Sequence, residues 1–418
     1  MKAAILSLLP LAFAAPATKR AGGPAPLLKP RDVGDNLIPG QYIVKMKEGM
    51  QVSSVDDALN LFAGDAEHEW KTGEFKGFAA KLDDVALDAI ANHPDVEYIE
   101  QDAVVSINTY VTQSSPPWGL GRISHQALST SQYVYDDSAG TGVCAYVIDT
   151  GILTTHNQFG GRATWLANYA GDGSNTDGNG HGTHVAGTIG GTTYGVAKKV
   201  SLYAVKVLNA SGSGTNSGVI SGMNYVASDS QTRSCPKGVV ANMSLGGSTS
   251  TAVNSAAASM VKAGVFLAVA AGNDGANAAN SSPASEPTVC TVGATTSADA
   301  LASYSNFGAV VDILAPGSNV LSAWIGSNSA TNTISGTSMA TPHITGLGAY
   351  FLALNGAKTP AALCTYFWIP KGVNDILTRS HQQIQTTSTK NKITGVPSST
   401  KNYLAFNGNP SGGSSSGP

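Results

Sequence analysis

Three short stretches of the 418-residue chain hold residue types that can do nucleophilic chemistry. In Val147-Ile148-Asp149-Thr150-Gly151 a carboxylate stands where an apolar run stops. In Asn179-Gly180-His181-Gly182-Thr183-His184-Val185-Ala186-Gly187 an imidazole is flanked by glycines that leave room for another chain to approach. In Ser335-Gly336-Thr337-Ser338-Met339-Ala340-Thr341-Pro342-His343 a hydroxyl opens a small-residue helix, with Pro342 expected in its tolerant first turn. Unpaired N–H groups and partial positive charge at such a helix start can bind a developing oxyanion. An acid, an imidazole base and a hydroxyl are the parts of acyl transfer through a covalent intermediate.

Each stretch also has a plainer reading. An Asp at a strand end can simply cap the next element. Two histidines three apart could ligate zinc, yet no Cys or carboxylate lies at ligand spacing and His-Glu-x-x-His is absent. An aspartic protease needs two facing carboxylates sharing a proton, and no second Asp-Thr-Gly or Asp-Ser-Gly occurs. Gly336-x-Ser338-x-Ala340 approaches the α/β-hydrolase elbow, but that fold orders its triad Ser, acid, His, whereas these motifs run Asp, His, Ser.

Holding such groups requires a rigid scaffold, and the surrounding sequence describes one. Apolar runs at 143–148, 200–207, 239–243 and 265–270 read as parallel strands covered on both faces. Helix-like stretches at 184–189, 219–227 and 252–262 alternate with them, so a parallel sheet wrapped by helices is expected, with ligands at the carboxyl ends of its strands.

Charge marks a second region. Residues 15–108 carry 9 basic and 16 acidic side chains, whereas residues 109–418 carry 14 and 11. The acidic part has strand-like runs at 41–46 and 96–99 and helix-like stretches at 55–62 and 85–91, a small α+β pattern. The whole chain, with Lys+Arg 24 against Asp+Glu 27, offers no polycationic surface and excludes an electrostatic nucleic-acid binder. Met1-Lys2 followed by an apolar run to Phe13 and small residues has the layout of a secretory signal, too short to span a bilayer.

Together, VIDTG at 147–151, HGTHVAG at 181–187 and GTSMATPH at 336–343 resemble the subtilisin-like serine proteases, and among them the proteinase K-like branch, over about residues 41–410. The resemblance implies an α/β fold: a subtilisin-like parallel sheet flanked by helices, preceded by a small α+β (ferredoxin-like) prodomain. It divides the chain into a signal peptide at 1–15, an inhibitory prodomain at 16–108 and a peptidase domain at 109–418. By resemblance, Asp149 orients His181, His181 is general base then acid, Ser338 is the nucleophile and His184 is structural. Asn273, after Ala271-Gly272, becomes the oxyanion donor beside the Ser338 N–H; taken alone, Asn273-Asp274-Gly275 reads as a turn.

The resemblance also assigns substrate binding to two cleft edges, 211–214 with Gly212 and 244–247 with Ser244, Leu245 and Gly246, which pair with a peptide as added strands. A specificity pocket between 245–247 and 270–272, with small apolar walls, implies cleavage after apolar or aromatic residues with broad tolerance. Four cysteines in an exported chain suggest disulfides, in three alternative pairings. The resemblance implies Cys144–Cys235 and Cys290–Cys364. It implies no cofactor for catalysis, and a structural calcium ion on the carbonyls of Pro287 and Val289 and the carboxylate of Asp312.

The expected product is a secreted, extracellular, monomeric serine endopeptidase acting on proteins and peptides, with no nucleic-acid or membrane partner. Its prodomain would be an intramolecular inhibitor whose tail, near 107–113, threads the cleft before self-cleavage ahead of Pro116-Pro117-Trp118-Gly119. Of three Asn-x-Ser sequons, Asn209 and Asn280 are expected to be open to glycosylation and Asn242 to lie in a buried strand. Residues 367–383, containing the helix breaker Pro370, depart from the family pattern and have the length of a short intron or of a surface loop. As an insertion they threaten the Cys290–Cys364 bridge. The Gly/Ser-rich residues 407–418 are expected to form a flexible tail.

Overall fold

A strand buried on both faces must be apolar at every position, and the run ending in Asp149 meets that requirement. Val143, Ala145 and Val147 point into one core while Cys144, Tyr146 and Ile148 point into another. The computed structural model describes residues 23–28, 37–103, 110–128, 131–356, 359–364 and 383–410. The expected signal peptide and nearly all of the 367–383 insertion lie outside these residues. The chain divides into two units, Met1–Ser106 and Ile107–Pro418.

The first unit is the expected α+β module. Its five-stranded sheet runs Leu27–Leu28, Val96–Ala103, Leu37–Met46, Gly77–Lys81, His68–Trp70 in spatial order, antiparallel except for the first pair. Helices Val52–Leu59 and Asp84–Ala91 bury Val55, Ala58 and Ile90 against Val44, Phe78 and Ile99. Asp83 caps the second helix by accepting from the Ala86 N–H at 2.8 Å. The strand expected at 41–46 begins earlier, at Leu37, because a register irregularity between Leu37 and Tyr42 absorbs Pro39-Gly40.

The second unit is built on nine strands: β1 (Val143–Asp149), β2 (Ala163–Asn168), β3 (Ser201–Lys206), β4 (Gly238–Met243), β5 (Phe266–Ala270), β6 (Cys290–Thr295), β7 (Ile313–Pro316), β8 (Thr389–Lys390) and β9 (Tyr403–Leu404). Their spatial order is β8-β9-β7-β6-β5-β4-β1-β3-β2, parallel apart from the β8/β9 pair. Helices α1 (His181–Gly190) and α4 (Thr337–Asn355) cover one face through Val185, Ile189, Ile344 and Leu347. Helices α2 (Asn216–Asp229) and α3 (Thr251–Lys262) cover the other through Val219, Met223, Ala257 and Met260. Asp149 ends β1, Ser244 follows β4, and Ala271-Gly272-Asn273 follows β5, so these groups meet at the carboxyl edge of the sheet.

Both implied disulfides are present, Cys144–Cys235 and Cys290–Cys364, and no free cysteine remains. They close separations of 91 and 74 residues. On loop-closure entropy each contributes roughly 4–5 kcal/mol. The expected threat to the second bridge is not realised.

Three expectations require correction. Residues 110–113 do not form the tail of the first unit: Tyr110–Ser114 pairs antiparallel with Gln132–Asp136 inside the second. The chain at 407–410 is not a loose tail, because Asn407 and Asn409 are buried. The Asn407 N–H donates to Ile123 O at 2.8 Å and its amide to Val134 O at 2.7 Å, and the Asn409 amide reaches Ser124 O at 3.3 Å. Residues 411–418 lie outside the described residues. Pro342 is not in the first turn of α4 but its sixth residue, so its missing N–H deprives an interior carbonyl of a partner.

Burial also fixes the charge state of two histidines. It pushes His184 and His343 down to about 4, and each ring keeps one hydrogen bond, His184 Nε2 with Val320 O at 3.0 Å and His343 Nδ1 with Met339 O at 2.9 Å. Both are therefore neutral in the fold, whereas an unfolded imidazole titrates near 6.5. Between these values the unfolded state binds more protons, so stability present above pH 6.5 is lost as pH falls toward 4. Denaturant unfolding should show a slope of about 1.4 kcal/mol per pH unit for each histidine in that window. His343→Gln should flatten the slope by one proton; an unchanged slope would count against a buried neutral ring.

Candidate active site

A loop held by one carboxylate presents the imidazole. Asp177 is buried; its Oδ1 accepts from Asn179 N at 3.0 Å, Gly180 N at 2.8 Å and Thr150 Oγ1 at 2.9 Å. Its Oδ2 accepts from Thr183 N at 2.9 Å and Thr183 Oγ1 at 2.6 Å. These bonds satisfy donors that a helix start leaves unpaired, and they let α1 begin at His181 behind Gly180, whose φ of 102° suits glycine. Thr150 closes the circuit by accepting from the Gly182 N–H at 2.9 Å. A Cβ on Gly182 would meet Gly151 O at 2.1 Å, so α1 approaches the β1 turn as closely as only glycine permits.

His181 Nδ1 faces Asp149 Oδ1 at 2.8 Å, and the same oxygen accepts from the Thr150 N–H at 2.7 Å. Asp149 is fully buried, and its Oδ2 has no hydrogen-bond partner among the described residues. A carboxylate at Nδ1 fixes the tautomer, with the proton on Nδ1 and the lone pair on Nε2. Burial works against the imidazolium, yet the charge and hydrogen bond of Asp149, with Asp177 behind, leave the His181 pKa raised.

Lys206, fully buried beside Asp149 in the β1/β3 register, braces the strand end. Its ammonium donates to Thr150 O at 3.0 Å and Leu208 O at 2.7 Å and pairs with Asp172 at 3.1 Å.

Ser338 is the second residue of α4, which packs on α1. Its hydroxyl donates to Ser244 O at 3.0 Å, while Ser244 Oγ donates to Ser338 O at 2.8 Å. Asn273 uses its Oδ1 to accept from Thr337 N at 2.8 Å and Thr337 Oγ1 at 2.9 Å, which turns its amide nitrogen the other way. A Cβ built on Gly336 would lie 3.6 Å from both Asn273 Nδ2 and Ser338 N, the nearest atoms outside the two adjoining residues. Two N–H donors thus border one open space, as a developing oxyanion requires.

Two cavities adjoin these groups. One, of about 450 Å³, places Gly212 to Gly214 opposite Ser244 to Gly247 with His181 on its wall. The other, of about 580 Å³, lies between Leu245 to Gly247 and Ala270, with Asn273 and Ser338 on its wall. Its lining is less apolar than the sequence suggests, since Asp274, Asn277 and Asn280 contribute. Asn242, in the sequon expected to be inaccessible, is fully buried.

The residues implied for calcium do not fit a free cation site. Asp312 Oδ1 is held by Lys401 Nζ at 2.9 Å and Oδ2 by the Thr291 N–H at 3.0 Å. A divalent ion would have to displace an ammonium that already neutralises the carboxylate. Cys290 and Cys364 lie near Asp312, but their sulfurs are spent in the disulfide.

Asp177, Thr150, Lys206 and Lys401 were not singled out by sequence reasoning. Asp177 does leave a trace, an Asp four residues ahead of His181 in a Gly-rich run, which suits a turn or cap. The other three sit in their places through tertiary contacts that no local pattern encodes.

Residues 140–402 match the Subtilase family, and residues 41–108 match the peptidase inhibitor I9 family. The chain is 57% identical over 408 residues to the subtilisin-like serine protease AsES of Sarocladium strictum, covering 98% of this chain and 99% of that one. It is 54% identical over 406 residues to a cuticle-degrading protease of Metarhizium anisopliae (97% and 99% covered) and 49% over 406 residues to proteinase R of Parengyodontium album (96% and 98%). The crystal structure of a cold adapted subtilisin-like serine proteinase superposes with a TM-score of 0.62 at 44% identity, covering 70% of this chain and 99% of that one.

Two outcomes test the geometry. Gly336→Ala places a methyl group between the two donors on extended backbone that tolerates it. Peptide hydrolysis should fall by about 10²-fold, while the thermal midpoint holds or rises with about 0.4–1 kcal/mol of stability. Separately, the midpoint of the parent should be the same in calcium and in chelator, whereas Lys401→Met should be less stable and regain stability when calcium is added.

Proposed function

Because the chain belongs to the subtilase family, as a serine endopeptidase of the proteinase K-like branch with an I9 inhibitor segment ahead of the peptidase, we propose that Asp149, His181 and Ser338 are its catalytic triad. The observation that carries the reading is the 2.8 Å Asp149–His181 contact beside a helix start where Ser338 N and Asn273 Nδ2 border one space. As in subtilases generally, catalysis needs no cofactor.

The peptide enters as a strand between the edges 211–214 and 244–247. Ser338 turns its hydroxyl from Ser244 O toward His181, whose Nε2 takes the proton as Oγ bonds to the scissile carbonyl carbon. The oxygen's negative charge is held by Asn273 Nδ2 and the Ser338 N–H. Asp149 stabilises the imidazolium. His181 then passes the proton to the leaving amine, the C–N bond breaks, and an acyl-enzyme remains. A water molecule gives its proton to His181 and repeats the sequence in reverse, releasing the acid.

Leu245, Ala270 and Ala276, with the glycines beside them, support cleavage after apolar or aromatic residues, and the Asp274, Asn277 and Asn280 of the same lining support breadth rather than stringency. The I9 segment is the intramolecular inhibitor. Processing falls at the 108/109 boundary, a placement supported by the end of the I9 match at 108 and by the strand that starts at Tyr110. The signal-like N-terminus supports secretion; among the described residues no helix is long and apolar enough to cross a membrane.

A fluorophosphonate probe should add its mass at Ser338, and Ser338→Ala should neither react nor process its own precursor. Asn273→Leu should lower kcat about 10²–10³-fold, the range set by the corresponding group of a subtilisin. Activity requires neutral His181, and its pKa is raised, so kcat/KM should climb with pH through a midpoint above 6.5. Strict cleavage after Arg or Lys in a peptide library would remove the specificity assignment.

A further inference from the structure

In an α-helix the N–H of residue 342 would donate to the carbonyl of residue 338, four positions back. Pro342 has no N–H, and as the sixth residue of α4 it lies beyond the turn whose donors are unpaired anyway. The carbonyl left without its helical donor is that of Ser338. Ser244 fills the gap: its Oγ–H donates to Ser338 O at 2.8 Å.

The substitute donor is itself held. Asn242 Nδ2 donates to Ser244 Oγ at 2.8 Å, and Asn242 Oδ1 accepts from Thr345 Oγ1 at 2.9 Å. Asn242 and Ser244 are two residues apart at the end of β4, on one face; Ser338 and Thr345 are seven apart on α4, two turns along the side that meets β4. The bonds therefore form a closed circuit between strand end and helix. Asn242 and Thr345 are fully buried and Ser244 is 3% exposed, so the Asn242–Ser244 and Asn242–Thr345 bonds are shielded from water and an unpaired member there would be costly.

We propose that Ser244, held by Asn242 and Thr345, is a positioning residue for Ser338: its hydroxyl replaces the N–H that Pro342 lacks and fixes the backbone carrying both the nucleophilic oxygen and the oxyanion N–H. The inference rests on the reading of Ser338 as nucleophile. An ordinary residue at 342 would tie the Ser338 carbonyl back into its own helix. Proline releases it to the cleft edge, so the segment that lines the substrate cavity and the residue that attacks the substrate share two hydrogen bonds. Both groups at risk belong to Ser338, so slack in its backbone would displace attack and oxyanion binding together.

The test measures the rate of fluorophosphonate labelling at Ser338, together with kcat and KM on a peptide ester, for the processed parent and variants of equal thermal midpoint. Ser244→Ala should slow labelling and lower kcat by about 10- to 100-fold, the scale of a misplacement near 1 Å, with KM nearly unchanged. Ser244→Ala combined with Pro342→Ala gives residue 342 its own N–H toward Ser338 O and should recover most of the loss, which a merely structural role of Ser244 would not predict. Labelling of Ser244→Ala at the parental rate, or a loss that Pro342→Ala does not relieve, overturns the proposal. If Ser244→Ala does not fold, Thr345→Val breaks the circuit at its far end, and slower labelling supports the proposal while the parental rate overturns it. A parent that is not labelled at Ser338 would instead overturn the nucleophile assignment.

Discussion

A carboxylate with no access to water has to be satisfied by its surroundings, and the carboxyl edge of the sheet is organised around meeting that demand for Asp149. Its position is set by β1, which is apolar on both faces and ends where the two cores end. One oxygen takes the Thr150 N–H and His181 Nδ1; the other has no hydrogen-bond partner among the described residues. An under-solvated anion favours a positive charge on its neighbour, and the neighbour is the base. The opposing effect of burial on His181 is outweighed, and a stronger base results.

Around that pair the protein uses buried polar groups in closed circuits rather than alone. Asp177 accepts five hydrogen bonds that hold the imidazole loop. Lys206 ties the β1 turn to Asp172 and the chain after β3. Asn242, Ser244 and Thr345 tie the serine helix to β4. Each circuit joins two elements of the sheet edge, and in each the buried member, Asp177, Lys206 or Asn242, has its polar atoms paired. At Asp312, the carboxylate implied for calcium, the Lys401 ammonium and the Thr291 N–H take the two oxygens instead.

Much of this was legible in the sequence. The alternation of apolar runs and helical stretches points to the parallel sheet, because strands covered twice cannot hide their composition; missing ligand spacing and a missing second Asp-Thr-Gly set aside zinc and an aspartic protease, and motif order sets aside the α/β-hydrolase elbow. What stayed hidden depended on register and distance. Strands β2 and β6 are interrupted by polar residues or glycine and β7 has only four residues, so they form through neighbours rather than propensity. The tail at 407–418 reads as loose because it is rich in Gly and Ser, yet the Asn407 N–H and the side-chain amides of Asn407 and Asn409 meet the carbonyls of Ile123, Val134 and Ser124. Pro342 looked harmless at the start of a helix whose first residue is Thr337; one turn decides whether its missing donor matters.

The central claim is that Asp149 holds the Nδ1 proton of His181 and raises the ring's basicity. Proton NMR of the processed Ser338→Ala protein, which cannot digest itself, tests this through the hydrogen-bonded Nδ1 resonance and the ring titration. A downfield resonance titrating above 6.5, with a lower midpoint in the additional Asp149→Asn variant, is the predicted result. An imidazole that titrates at the same pH with and without the carboxylate would contradict it.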